Sequence, residues 1–108
     1  MKSVSVAKNF SRFPAGRRKS NGVDTSGEAF RERFLEPAIR AGEPIEVDLD
    51  GTIGYSSAFL DEAFGGLVHA LGTTPDAVFA ILKVKSEDPQ LIEEIRSHVL
   101  EAWQRQGV

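Results

Sequence analysis

The chain has 108 residues, 41% hydrophobic and 27% charged, with a net charge of −3 and no cysteine. This balance fits one globular domain with a modest core, and it excludes disulfides, thiolate metal ligands and cysteine nucleophiles. No apolar run approaches the roughly 20 residues that cross a bilayer, and the start lacks the apolar stretch of a signal peptide, so a cytoplasmic protein is expected.

Charge is unevenly placed. Residues 1–20 hold six basic side chains (Lys2, Lys8, Arg12, Arg17, Arg18, Lys19) and no acid, whereas the remainder holds seven bases and sixteen acids. Arg12, Arg17, Arg18 and Lys19 are therefore candidate contacts for phosphate, nucleic acid or an acidic protein surface. The alternative is a solvated loop that balances an acidic body.

Residues 3–7 alternate, with Val4 and Val6 on one face, which predicts a short strand. Residues 10–22 carry Pro14, Gly16 and Gly22 among basic residues and read as a long loop. Thr25 and Glu28 form a capping box that opens a helix striped by Phe30, Phe34, Leu35, Ala38 and Ile39. Pro37 should kink its last turn, and Gly42 should stop it. Residues 45–49 predict a second strand with Ile45, Val47 and Leu49 facing one way, followed by a turn over 50–54.

Ser56 or Ser57 caps the next helix, whose stripe is Phe59, Leu60, Ala63, Phe64, Leu67, Val68 and Leu71. Gly65 and Gly66 cost this helix stability and point to close approach of another backbone. Residues 77–84 are apolar and β-prone, which predicts a buried strand. Asp88 and Pro89 open a last helix striped by Leu91, Ile92, Ile95, Val99, Ala102 and Trp103. The predicted fold is α/β, a small mixed, mainly parallel sheet of about four strands with three helices. Within a single domain, residues 1–24 supply a strand and the basic loop, and residues 25–108 the α-β-α-β-α remainder.

Asp48-Leu49-Asp50-Gly51-Thr52 ends an apolar strand and resembles the first motif of the haloacid-dehalogenase phosphatases. That resemblance implies Asp48 as nucleophile and Asp50 as acid/base beside Mg²⁺. The larger core and the downstream Ser/Thr, Lys and acidic pair of such enzymes have no clear counterpart here. The competing reading is an Asp-Gly turn with an outward Asp48. There is no P-loop and no G-x-S-x-G, and His69 and His98 stand alone. No cofactor and no metal is expected.

Ser26-Gly27-Glu28-Ala29-Phe30-Arg31, Leu35-Glu36-Pro37-Ala38-Ile39, Val47-Asp48-Leu49-Asp50-Gly51-Thr52 and Gly54-Tyr55-Ser56-Ser57 come in this order. Phe59-Leu60-Asp61-Glu62-Ala63-Phe64-Gly65-Gly66-Leu67 follows. Together they resemble a bacterial STAS-like domain family of unknown function, related to the anti-sigma factor antagonists. The resemblance implies a STAS-like fold and a non-catalytic regulatory module with a protein partner of the histidine-kinase ATPase type. It also implies a serine at the helix start that such a partner phosphorylates. Tyr55 stands where the larger family has Asp, and Ala58 where it has Gly. The expected docking face is Tyr55, Ser56, Ser57, Phe59, Leu60, Asp61, Glu62, Gly65 and Gly66, with an exposed Tyr55, Phe59 or Leu60 as apolar contact. The simpler alternative is a serine that only caps its helix.

Overall fold

The computed structural model describes residues 2–19 and 24–106. Residues 20–23, the end of the predicted basic loop, lie outside them. Three strands, β1 (Lys2–Ser5), β2 (Ile45–Asp48) and β3 (Leu82–Lys85), form one parallel sheet in the order β1-β2-β3. Lys2 pairs with Ile45 and Ile45 with Leu82, so the register is continuous across the sheet. Side chains alternate across a strand. Val4, Ile45, Val47 and Leu82 therefore share the buried face. Ser3, Ser5, Glu46, Asp48, Lys83 and Lys85 share the other, which is half-buried to exposed.

Five helical stretches accompany the sheet among the described residues. A π-helical turn, Val6–Phe10, follows β1 directly and is closed by the Ser11 N–H donating to the Val6 carbonyl at 2.7 Å. The predicted strand over 3–7 thus ends at Ser5, whose hydroxyl accepts from the Lys8 N–H.

Helix α1 comprises Gly27–Phe30, a π turn at Arg31–Leu35, and Glu36–Ala41. Its N-cap is Ser26, not Thr25: Ser26 Oγ accepts from the Ala29 N–H at 3.2 Å. The Thr25 hydroxyl instead donates to the Ala15 carbonyl, and Glu28 accepts from the Lys19 N–H. Pro37, expected to kink the last turn, stands at the junction with the π turn. The π turn ends just before it, so the ring falls in the first turn of the next α-helical segment, where a missing N–H is tolerated. Gly42 ends the helix in the left-handed conformation, at φ 69°.

Helix α2 comprises Ser57–Leu60, a third π turn at Asp61–Gly65, and Gly66–Leu71. The predicted strand over 77–84 is corrected to a helix, α3 (Pro75–Ile81), followed by β3. Thr74 Oγ1 accepts from the Ala77 N–H and Pro75 sits in the first turn, a start signal that outweighs the β-prone composition. Among the described residues the sheet has three strands rather than about four. Helix α4 (Pro89–Gln106) begins as expected, with Asp88 Oδ1 accepting from the Gln90 N–H. Trp103, placed on its apolar stripe, is exposed, while Ile95, Val99 and Ala102 are buried.

The core lies between the apolar face of the sheet and the helices. Phe30, Leu35, Phe59, Leu60, Phe64, Leu67, Val78, Ile95 and Val99 meet Val4, Ile45, Val47 and Leu82 there. Phe30 centres an aromatic cluster, with Phe10 edge-on at 5.2 Å and Phe59 and Phe64 at 6.0 and 6.3 Å. No helix among the described residues is long and apolar enough to cross a membrane.

Candidate functional site

The turn after β2 positions the start of α2. Leu49 extends the ladder by donating its N–H to the Lys85 carbonyl at 2.9 Å. Asp48 Oδ1 accepts from the Asp50 N–H, and Asp50 Oδ1 accepts from the Glu87 N–H, each at 3.0 Å. Both carboxylates thus serve the turn: Asp48 shapes it, and Asp50 ties it to the segment after β3. Gly51 takes φ 97°, which a side chain would strain.

Tyr55 is half-buried. Its ring packs on Phe59, and its hydroxyl donates to the Leu49 carbonyl at 2.7 Å. Burial, then the nearby charges of Asp48 and Asp50, push the phenol up to about 12 against a Thr52 hydrogen bond that favours ionisation. The linkage sign follows. A phenol whose folded pKa is raised contributes full stability below its ordinary pKa, and that stability is lost as pH rises from about 10 to 12. Tyr55 is the chain's single tyrosine, so tyrosinate absorbance reports it alone. The folded protein should titrate well above a denatured control; coincident midpoints would show that the phenol is not buried.

Ser56 is the N-cap of α2, its hydroxyl accepting from the Phe59 N–H at 3.1 Å. Such a cap is worth about 1 kcal/mol. Ser56 and Ser57 are both exposed. Phe59 and Leu60 are fully buried in the core, so neither can be the apolar contact expected of them. The exposed apolar groups near this helix start are ones the pattern reading missed. Ile53 is 77% exposed and Phe13 61%. Backbone pairing joins their segments, the Ile53 N–H donating to the Arg12 carbonyl at 3.0 Å. The one available signal was an isoleucine between Gly51 and Gly54, outside any apolar period.

Asp61 and Glu62 meet the basic loop, which sequence order separates from them by 44 positions. Arg17 Nη1 lies 2.6 Å from Asp61 Oδ2, and Arg18 Nη1 3.2 Å from Glu62 Oε2. Lys19 pairs with Glu32 on α1. Backbone bonds press the loop onto the start of α1, with the Gly27 and Glu28 N–H groups donating to the Gly16 and Arg17 carbonyls. Arg17, Arg18 and Lys19 are therefore engaged within the chain, whereas Arg12 lies apart, beside Asp48 and Asp50. Burial resists ionisation of Asp61, yet the Arg17 hydrogen bond and the charges of Arg17, His98 and Arg105 hold its carboxyl below the usual range.

Beneath the loop sits a buried ion cluster that pattern reading did not find. Arg31, its side chain 8% exposed, donates through Nε to Glu36 at 2.8 Å and through Nη1 to Glu62 Oε2 at 2.5 Å. The same Nη1 reaches the Glu62 backbone carbonyl at 2.7 Å. It links the π turns of α1 and α2, since Arg31 opens one and Glu62 lies in the other. Gly66 leaves room for this guanidinium, because a Cβ there would collide with Arg31 Nη1. At Gly65 a Cβ would sit 3.0 Å from the His98 carbonyl on α4, the close backbone approach that the glycine pair implied.

A small α/β domain thus presents the serine-capped start of a helix beside the C-terminal ends of a parallel sheet. A family model described as the STAS-like domain of unknown function (DUF4325) matches residues 26–91, more than half of the chain. The chain belongs to this family. No curated protein and no solved structure matches it.

Proposed function

We propose that the protein is a non-catalytic regulatory module that docks a protein partner through the turn after β2 and the start of α2. The carrying observation is the exposure of Ile53 beside the exposed hydroxyls of Ser56 and Ser57, on a turn clamped by Asp50 and Tyr55. A rigid turn bearing an apolar anchor beside modifiable polar groups suits reversible recognition. Membership of a STAS-like family supports the same reading, and a histidine-kinase-type ATPase is the partner class it favours.

Serine phosphorylation would control the contact. A phosphate on Ser57 would add close to two negative charges opposite Glu93, Glu94 and Glu101 of α4, which line the same groove. On Ser56 it would sit at the helix cap, where free N–H groups favour it. Trypsin leaves both serines in one peptide, residues 41–83. Mass spectrometry of the protein purified from its native host should find that peptide phosphorylated. A peptide that is unmodified under all growth conditions overturns the phosphorylation switch. The docking face is tested separately: Ile53→Asp should abolish complex formation with the host's kinase-type ATPases while leaving the fold intact. Undiminished binding by that variant removes this face from the proposal.

A further inference from the structure

A cavity of about 440 Å³ opens between the basic loop, α2 and the end of α4. Four of the chain's eight arginines line it, with no lysine. They come from three separate parts of the chain: Arg17 and Arg18 from the loop, Arg31 from α1 and Arg105 from α4. Gly65 and Gly66 supply wall with no side chain, which keeps the buried Arg31 accessible from the cavity.

The lining acids do not exhaust these donors. Asp61 is closest to Arg17, and Glu62 to Arg31. Arg18 bonds Glu62 at 3.2 Å, lies 3.8 Å from Glu28 and stays 67% exposed. Arg105 approaches Asp61 only to 3.5 Å and stays 59% exposed. Glu36 and Glu28, outside the cavity lining, also pair with Arg31 and Arg18, so the loosely held guanidinium groups at the cavity are the exposed ones of Arg18 and Arg105. Guanidinium groups present fixed forks of N–H donors that match oxyanions, and this is where arginine differs from lysine. Forks arriving from three directions suit a tetrahedral acceptor better than a flat carboxylate.

We propose that this cavity binds the phosphate group of a small molecule, with Arg18 and Arg105 as the primary ligands and Arg31 at its floor. The inference is independent of the docking role, because it uses neither the serines nor Ile53. The test is an NMR titration of the full chain with inorganic phosphate against sodium chloride at matched ionic strength. The Gly65 and Gly66 amides should shift saturably with phosphate and not with chloride. In Arg18→Ala and in Arg105→Ala the midpoint should rise about tenfold, the loss expected for one charge-assisted contact. Arg96→Ala, on α4 but outside the cavity, removes the same charge and should leave the midpoint unchanged. Equal shifts with chloride, or an equal weakening in the Arg96 variant, would mean general charge screening and would overturn the proposal. Saturable binding undisturbed in both cavity variants would place the anion elsewhere and overturn it as well.

Discussion

Arg31→Met should lower the free energy of unfolding by about 3–5 kcal/mol, the usual consequence of removing one partner of a buried ion pair. Glu36 and Glu62 would each lose their nearest guanidinium, and both are buried. Each would keep only exposed partners, the nearest being Arg40 at 3.1 Å for Glu36 and Arg18 at 3.2 Å for Glu62. A buried carboxylate so weakly paired must take up a proton or draw in water, at a cost in stability. The loss should appear as a lower urea midpoint at neutral pH. Arg31→Lys should recover little, because one ammonium cannot reach both acids with the geometry of Nε and Nη1. The triple variant Arg31→Met, Glu36→Gln, Glu62→Gln separates charge from packing and should recover much of the loss. A single-variant loss under about 1 kcal/mol would mean that the cluster is solvated, as exposed pairs are.

Gly27→Ala should cost about 2–3 kcal/mol, although alanine favours a helix by about 1 kcal/mol over glycine. The expectation rests on backbone meeting backbone. A Cβ at Gly27 would lie 2.5 Å from the Phe59 carbonyl oxygen and 2.9 Å from the Ala63 nitrogen. Neither atom can rotate away, so α1 and α2 would have to part at their N-terminal ends. That movement would also disturb the Arg31–Glu62 bridge a turn further on. Thermal unfolding of the variant is the measurement. An unchanged or raised midpoint would contradict the close helix approach.

Much of the architecture was readable because it is written locally. Helix starts carry their own caps, as Asp88-Pro89 shows, and the alternation of Ile45, Val47 and Leu49 gives both the strand and its buried face. Sequence and structure part where two local signals compete. In Val78-Phe79-Ala80-Ile81-Leu82 the apolar run suggests a strand, but Thr74-Pro75 starts a helix and only Leu82 joins the sheet. Thr25 and Ser26 are both good caps, and the choice between them was made by Ala15, ten residues away, which takes the Thr25 hydroxyl.

The candidate site was legible as a place but not as a surface. The serine-capped helix start is where the sequence indicates. Phe59 and Leu60 belong to the apolar stripe of α2, and a stripe that faces the core leaves nothing for a partner. The pairing of Arg17 and Arg18 with Asp61 and Glu62 has no periodic signature. It depends on how the loop crosses two packed helices, which only the assembled fold determines.

The parallel register has a consequence for how the molecule assembles. Every strand pair joins distant segments, Lys2 with Ile45 and Ile45 with Leu82, so no hairpin can nucleate the sheet. Each pairing closes a loop of roughly forty residues, and the entropy of that closure is recovered only when the intervening helices dock. Strand pairing and helix docking are therefore coupled, since neither is local in the chain. β1 and β3 are the two edges and each pairs only with β2, so the whole sheet depends on that one central strand.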